Sequence, residues 1–344
     1  MASTGIYLLA VCIVILNTAI TGGAHYRSPE RHVALFVFGD SLYDPGNNNY
    51  INTTTAYQAN FWPYGETFFG FPTGRFSNGR LIPDFISEYA KLPLIEPYLK
   101  PGVHNYANGV NFASGGAGAL VESHHGFVVD LKTQFSYYKK VEKQLRHNLG
   151  DREAKELISQ SVYLFSVGSN DYPSHSTSNS GFFDKYSTKE YVGMVLGNLT
   201  QILKGIYNIG GRKFGFVNLP PFGCFPGIKI LQPGNTGACS EEVNSLLKLH
   251  NRELSKTLRA IQSQLKGFKE AETACCGSGR YRGVSSCGGK SGVKEFELCD
   301  NVSDYFFFDS VHPTEKAYEQ LAKLMWSGDS GITEPYNLKE LFEF

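Results

Sequence analysis

The chain has 344 residues, enough for one large domain or two small ones. Its 32 basic and 32 acidic residues give a formal net charge of zero, and the basic residues form no block. Binding to nucleic acid or to an anionic membrane surface is therefore not expected. No long stretch rich in Pro, Ser or charge separates two apolar patterns, so we predict one domain over residues 33–344.

An apolar segment from Ile6 to Leu16 begins the chain and gives way to small and polar residues before Ala24. The segment is short for a membrane span, and its position is typical of a cleaved secretory signal. We predict a signal peptide over residues 1–24, with cleavage near Gly23 or Ala24 and no integral membrane span afterwards. Because no Lys or Arg precedes the segment, an uncleaved anchor is the alternative.

Strands and helices alternate along the rest of the chain. Short apolar runs predict strands buried on both faces, and apolar residues at helical spacing predict amphipathic helices. In chain order the predicted elements are a strand over Val33–Phe38, a helix over Leu81–Tyr89, a short strand over Asn108–Phe112, a helix over Phe127–Leu149, a strand over Ser161–Val167, a helix over Tyr191–Tyr207, a strand over Lys213–Leu219, a long helix over Glu241–Leu265 and a helix over Thr314–Trp326. This alternation predicts a three-layer α/β/α sandwich around a parallel sheet.

Six of the seven cysteines follow the predicted signal, and an even number in a secreted chain favours disulfides. A zinc site is less favoured, because the chain has no C-x-x-C pair and no neighbouring His cluster; no metal is predicted. Local spacing favours these pairs: Cys224 with Cys239, and Cys275 and Cys276 with Cys287 and Cys299 in either order.

Three N-x-[ST] sequons agree with secretion, at Asn52, Asn198 and Asn301. Such sequons also occur by chance, so they support the prediction only together. We predict these three asparagines as glycosylation sites.

Ser41 directly follows the first predicted strand, and parallel sheets carry their chemistry beyond the carboxyl ends of the strands. Asp309 and His312 lie three residues apart, just before the last predicted helix. Together the three side chains supply a nucleophile, an acid that orients the base, and the base itself. The alternative interpretation is that Asp40 and Ser41 only cap the following turn, that Asp309 only caps the start of the helix, and that His312 is a surface loop residue. The G-x-S-x-G elbow is absent, because Tyr43 stands where the second Gly would be.

An acyl-transfer site also needs hydrogen-bond donors for the oxyanion. We predict the backbone N–H of Ser41, the backbone N–H of Gly115 and the side chain of Asn170 in this role. Gly115 admits a close substrate because it has no Cβ. His124 and His125 are predicted to be an exposed loop pair.

The chain resembles the plant GDSL esterase/lipases, of the SGNH hydrolase superfamily, from about Val33 to the C-terminus. Four blocks in the same order carry the likeness: FGDSL at 38–42, GVNFASGGA at 109–117, GSND at 168–171 and DSVHP at 309–313. GRFSNGR at 74–80 and NLPPFGC at 218–224 extend it. The resemblance implies Ser41 as nucleophile, Gly115 or its neighbour Gly116 with Asn170 in the oxyanion hole, and Asp309 and His312 completing the triad.

The same resemblance implies a flavodoxin-like sheet, no cofactor, and ester hydrolysis through an acyl-enzyme. This chain departs from the family between Leu265 and Ala274, where members usually carry a further strand and a connecting stretch. We therefore expect the fifth, edge strand to be missing. Loss of an edge strand would expose apolar surface on its neighbours.

The predicted function is a secreted serine esterase or lipase acting on a small-molecule ester or a lipid. Two alternatives stay open: a non-catalytic binding or modifier protein on the same fold, and an acyltransferase that uses the same residues. Aromatic runs at 61–64 and 68–71 follow the first block and are candidates for an acyl pocket, although packing in the core is the commoner fate of such residues.

Overall fold

The computed structural model describes residues 33–103, 105–172, 185–230, 237–251, 274–279, 282, 287–288, 296–329, 333 and 337–343. The predicted signal peptide, the later part of the helix predicted over 241–265, and the junction where a strand is expected to be missing lie outside these residues. Those three predictions therefore stay predictions.

A parallel sheet forms the centre of the molecule. Its strands are β1 (Leu35–Gly39), β2 (Gly109–Asn111), β3 (Val162–Ser166) and β4 (Lys213–Phe216). Their order is β2-β1-β3-β4, and the register places Leu35 opposite both Gly109 and Val162. The parallel sheet predicted from the apolar runs is confirmed, and β4 lies at one edge of the described sheet.

Helices cover both faces of this sheet. They are α1 (Ile82–Tyr89), α2 (Leu131–Leu149), α3 (Asp151–Gln160), α4 (Thr188–Ile209), α5 (Pro226–Lys229), α6 (Glu241–His250), α7 (Glu315–Ser327) and α8 (Leu338–Glu343). Alternate residues of a strand point to opposite faces. Phe36 and Phe38 accordingly pack into the core beneath α2, α3, α4 and α6, whereas Leu35 and Val37 pack against α1, α7 and α8. The predicted three-layer architecture is confirmed.

Some helix boundaries differ from the sequence prediction, and one helix was not predicted. The helix predicted over Tyr191–Tyr207 spans Thr188–Ile209. The helix predicted from Phe127 begins at Leu131, because the Asp130 side chain accepts a hydrogen bond from the Thr133 N–H and caps the helix there. After Gly150 the chain forms α3, which the sequence analysis did not predict. Only three residues of α3 are buried, so its apolar pattern is short; its acidic first turn is the signal that favours a helix start.

The six cysteines pair as predicted, and the structure resolves the order that was left open. The pairs are Cys224–Cys239, Cys275–Cys299 and Cys276–Cys287. Backbone hydrogen bonds join Cys275 to Phe307 and Cys276 to Phe308. The disulfide-linked segment therefore supports the chain that leads into Asp309. Among the described residues, no helix is both long and apolar enough to cross a membrane.

Candidate active site

The end of β1 is fixed by a buried glutamine. Gln134 on α2 accepts a hydrogen bond from the Gly39 N–H at 2.9 Å and donates to the Gly39 carbonyl at 2.8 Å. The following residue, Asp40, donates its backbone N–H to the Ser166 carbonyl at 3.0 Å. These contacts hold the backbone on both sides of the strand end. Ser41 is therefore held in a fixed position just beyond the carboxyl edge of the sheet.

Ser41, His312 and Asp309 form one chain of hydrogen bonds. His312 Nε2 lies 2.8 Å from Ser41 Oγ, and Nδ1 lies 2.8 Å from each carboxylate oxygen of Asp309. Asp309 and His312 are buried, and Phe76 packs on the imidazole with ring centroids 4.6 Å apart. The structure thus brings the three predicted side chains together, in the order that acyl-transfer chemistry requires.

The Asp309 carboxylate is held in its charged form. Burial raises its pKa, but the charge and hydrogen bond of His312, with a hydrogen bond from Tyr64, outweigh burial and leave the pKa below its ordinary value. The N–H groups of Val311 and His312 also donate to Oδ1, at 3.0 and 2.9 Å. An ionised Asp309 can therefore fix the imidazole tautomer with its proton on Nδ1.

Tyr64 is a residue of this site that the sequence analysis did not single out. Its hydroxyl donates to Asp309 Oδ2 at 2.5 Å. It belongs to the aromatic run at 61–64, a candidate acyl pocket, but Phe61 and Tyr64 pack in the core with Phe308 and the cysteines instead. Only contact in the folded chain reveals this role, because Tyr64 and Asp309 are 245 residues apart.

Replacing Tyr64 by Phe should lower kcat about 10-fold and leave KM nearly unchanged, since a hydrogen bond to a buried charge is lost while the cavity keeps its shape. The carboxylate of Asp309 loses one donor, so its pKa should rise and it should hold the imidazole of His312 less firmly. Steady-state kinetics would measure kcat and KM. Tyr89→Phe, a change on α1, is the control; equal kinetics for all three proteins would contradict the prediction.

A cavity of about 130 Å³ lies beside Ser41 and His312. Its other lining residues include Tyr57, Phe76, Gly116, Asn170, Phe222 and Phe225. Apolar residues, four of them aromatic, thus form most of the wall, and Ser41, Asn170 and His312 are among the polar residues that line it. This is the usual composition of a small-molecule site.

The glycine nearest the cavity is Gly116, which differs from the prediction for Gly115. The Gly115 N–H donates to Asp44 Oδ2 at 2.8 Å, so this amide already has a partner. Gly116 lines the cavity, and within the described part of the chain its N–H has no hydrogen-bond partner. The Ser41 N–H is likewise unpaired there, and Asn170 lines the cavity while its Nδ2 donates to the Ala117 carbonyl at 3.0 Å.

Two buried carboxylates that the sequence analysis did not assign hold the loops around this cavity. Asp44 accepts the Gly115 N–H, and Asp171 accepts the N–H groups of Ala119 and Leu120 at 2.9 and 3.0 Å. Burial raises the pKa of each of these carboxyls to about 6. Their hydrogen bonds connect the glycine loop to the loops that follow β1 and β3.

The two neighbouring histidines have different environments. His125 is exposed, as predicted. His124 is half-buried and lines the cavity, so the prediction of an exposed pair is wrong for this residue. A sequence pattern cannot separate two adjacent histidines in a loop, because which of them faces inward depends on the backbone conformation.

The sequons lie in two kinds of structure. Asn52 and Asn301 are exposed and lie outside the α-helices and strands, whereas Asn198 is half-buried within α4 and its Nδ2 donates to the Met194 carbonyl at 3.2 Å.

No group of three or more His, Cys, Asp or Glu side chains suited to a metal ion occurs among the residues that the structure describes.

A Ser-His-Asp arrangement beside an aromatic cavity, at the carboxyl edge of a parallel sheet, is typical of the serine-dependent acyl hydrolases as a class. The family model for GDSL-like lipase/acylhydrolase matches residues 35–325. The chain belongs to this family, as the sequence blocks indicated.

Curated relatives agree over almost the whole chain. GDSL esterase/lipase 5 of Arabidopsis thaliana is 49% identical over 365 residues, covering 98% of this chain and 94% of that protein. GDSL lipase of Tanacetum cinerariifolium is 49% identical over 356 residues, covering 97% and 93%. GDSL esterase/lipase 1 of Arabidopsis thaliana is 50% identical over 364 residues, covering 98% and 97%. This protein is accordingly a plant-type carboxylic ester hydrolase.

These alignments bear on the strand that is expected to be missing. Each runs over more residues than the 344 of this chain, so each relative has residues with no counterpart here. The alignments do not locate those residues. They agree with a deletion, and its position between Leu265 and Ala274 stays a prediction.

Proposed function

We propose that this protein is a secreted serine esterase that hydrolyses small acyl esters through an acyl-enzyme on Ser41. The observation that carries the proposal is the continuous hydrogen-bonded chain from Asp309 through His312 to Ser41, which ends at the cavity. A substrate with an ester carbonyl at Ser41 Oγ meets a nucleophile and a base already in contact.

In the first half of the proposed reaction, His312 Nε2 takes the proton of Ser41 as Oγ attacks the carbonyl carbon. The carbonyl π electrons move to oxygen, and the negative charge on this oxygen faces donors of the site. We assign the N–H groups of Ser41 and Gly116 and the side chain of Asn170 to this oxyanion hole. Each donor of this kind contributes about 10²- to 10³-fold to kcat in related chemistry.

In the second half, the protonated His312 gives its proton to the leaving alcohol oxygen as the C–O bond breaks. A water molecule then attacks the acyl-enzyme while His312 takes one of its protons, and His312 returns this proton to Ser41 Oγ as the C–O bond to the serine breaks and the acid leaves. Asp309 stays ionised throughout and stabilises the imidazolium, since its pKa is held below the ordinary value.

The size of the cavity favours a compact acyl group. Its volume of about 130 Å³ is close to the roughly 150 Å³ of an engineered cavity that holds one benzene molecule. Tyr57, Phe76, Phe222 and Phe225 supply apolar walls around this space. We therefore propose that short-chain and small aromatic acyl esters react faster than long-chain ones.

The test is the release of p-nitrophenol from esters with acyl chains of two to about twelve carbons, followed in the first turnover and at steady state. A burst equal to the enzyme concentration, followed by slower turnover, indicates an acyl-enzyme. Turnover that rises steadily with chain length would contradict the compact acyl site. Folded protein without turnover on any ester would favour the binding-protein alternative.

Acyl transfer is separated from hydrolysis in the same assay by adding a primary alcohol. Hydrolysis predominates if the acid remains the main product as the alcohol concentration rises. An acyltransferase would convert most of the acyl group to the new ester. Both reactions use the same three side chains, so their proportion is set by access of water and alcohol to the acyl-enzyme.

Secretion is part of the proposal, with residues 1–24 removed and residues 33–344 forming the catalytic domain. Expression in a plant secretory system should give a mature chain that begins near Gly23 or Ala24, with glycans at the exposed Asn52 and Asn301. Asn198 should carry less glycan, because its amide is hydrogen-bonded within α4. Peptide mass spectrometry before and after glycosidase treatment measures all three; a chain retaining residues 1–24 without glycan would contradict secretion.

A further inference from the structure

The donor assigned to Gly116 lies in a tight turn. The Ala117 N–H donates to the Ser114 carbonyl at 2.9 Å, and Gly116, the third residue of this turn, has φ of +85°. A positive φ at the third position is the mark of a type II turn. Gly116 is also enclosed, since a Cβ at this position would contact Tyr57 and Val128.

The direction of the Gly116 N–H depends on how this turn is held. That N–H shares a peptide plane with the Gly115 carbonyl, and the plane turns over between type I and type II turns. With glycine at both central positions, neither orientation is penalised by a Cβ. Hydrogen bonds from outside the turn must therefore select the orientation.

Two side chains supply these hydrogen bonds. Asn48 Nδ2 donates to the Gly115 carbonyl at 2.9 Å, and His124 Nδ1 lies 2.8 Å from the Gly116 carbonyl. A carbonyl oxygen only accepts, so His124 Nδ1 is the donor. The peptide planes on both sides of the Gly116 Cα are thus fixed, one by Asn48 and the other by His124.

His124 is held in place for this contact. Its φ of +51° is uncommon for a residue with a side chain, and such residues are often found at functional sites. Its ring packs against Tyr57 with centroids 5.0 Å apart, and both residues line the cavity.

We propose that His124 is a positioning residue for the oxyanion hole: its hydrogen bond to the Gly116 carbonyl fixes the peptide plane that follows Gly116. Together with the hydrogen bond from Asn48 to the Gly115 carbonyl, it keeps the turn in the form that directs the Gly116 N–H at the reacting ester. This inference rests on the proposed function, because it requires an oxyanion at Ser41. His124 itself takes no part in proton transfer, so its removal weakens one donor and leaves the nucleophile and base intact.

The test compares four variants with the wild type on p-nitrophenyl acetate. His124→Asn places an amide N–H where Nδ1 lies and tolerates a positive φ, so it should keep kcat within about threefold. His124→Gln, whose amide reaches the Nε2 position, and His124→Ala should each lower kcat about 10-fold with KM little changed, a fraction of the loss for a whole donor. His125→Ala, a change at the exposed neighbour, should match the wild type.

A thionoester substrate distinguishes positioning from general damage to the fold. Its sulfur accepts hydrogen bonds weakly, so the oxyanion hole contributes less and the defect of His124→Ala should shrink to about twofold. Equal defects on the ester and the thionoester, or no rescue by His124→Asn, would overturn the inference. If Ser41→Ala retains wild-type turnover, the proposed function itself fails, whatever the His124 variants show.

Discussion

Replacing Ser41 by Ala should reduce kcat for a short-chain ester by about six orders of magnitude, the size of the loss that follows removal of a serine nucleophile in related chemistry. Without Oγ no acyl-enzyme forms, so the burst of p-nitrophenol should disappear along with turnover. The variant should fold normally, because the change removes one oxygen at the edge of the cavity. Rapid-mixing kinetics on the wild type and the variant measure the burst and kcat together.

The same mechanism predicts that losses at Ser41 and His312 do not add. Once the nucleophile is absent, the base has no proton to remove, so the double variant Ser41→Ala/His312→Ala should be about as slow as Ser41→Ala alone. Ser327→Ala, at the exposed end of α7, is the matched control and should equal the wild type. Additive losses in the double variant would show that His312 acts on something other than Ser41.

That Ser41, Asp309 and His312 lie together was predictable because their signals are local. Ser41 follows a buried strand, and Asp309 and His312 share one short loop, so neighbouring residues suffice to single them out. The sheet was predictable for a similar reason, since strands buried on both faces appear as short apolar runs. The cysteine pairs agree with the guess from local spacing, which did not fix the connectivity and left open the order of the two pairs that involve Cys275 and Cys276.

The supporting residues were not predictable in the same way. Tyr64 contacts Asp309 across 245 residues of sequence, and its aromatic neighbours suggested a pocket instead. Whether Gly115 or Gly116 keeps a free N–H for the cavity depends on which of the two N–H groups donates to Asp44, and the folded loop decides this. His124 differs from His125 only through its backbone conformation. In each case the role comes from a contact that spacing along the chain does not encode.

Replacing Asp40, the residue directly before Ser41, should have a large effect on the stability of the fold. Burial raises the pKa of Asp40 to about 7, helped by the charges of Asp171 and Asp44 and opposed by the N–H of Leu42. Its Oδ2 has no hydrogen-bond partner in the described part of the chain. Replacing Asp40 by Asn keeps the acceptor for Leu42 and removes the ionisation.

The sign of the pH dependence follows from the number of protons that Asp40 binds in the folded and in the unfolded chain. Below pH 3.8 Asp40 is protonated in both the folded and the unfolded chain; between pH 3.8 and about 7 only the folded chain keeps the proton. Stability from this group is therefore fully present at low pH and is lost as the pH rises through 7. The rise of the pKa from 3.8 to about 7 corresponds to roughly 4 kcal/mol in the free energy of unfolding. Between pH 4 and 8, Asp40→Asn should therefore gain up to that amount of stability over the wild type.

Urea unfolding with the disulfides intact, at several pH values from 4 to 8, measures this difference. Asp44 and Asp171, whose pKa values are raised to about 6, make the stability of both proteins fall as the pH rises, so most of the difference between the two stability curves comes from Asp40. Asp329→Asn, at an exposed site, is the control. Parallel curves from pH 4 to 8 would mean that Asp40 does not titrate in this range in the folded protein, and would contradict its raised pKa. In the proposed reaction, a neutral Asp40 would keep negative charge away from an oxyanion at Ser41, so the residue that destabilises the fold above pH 7 would favour the reaction below it.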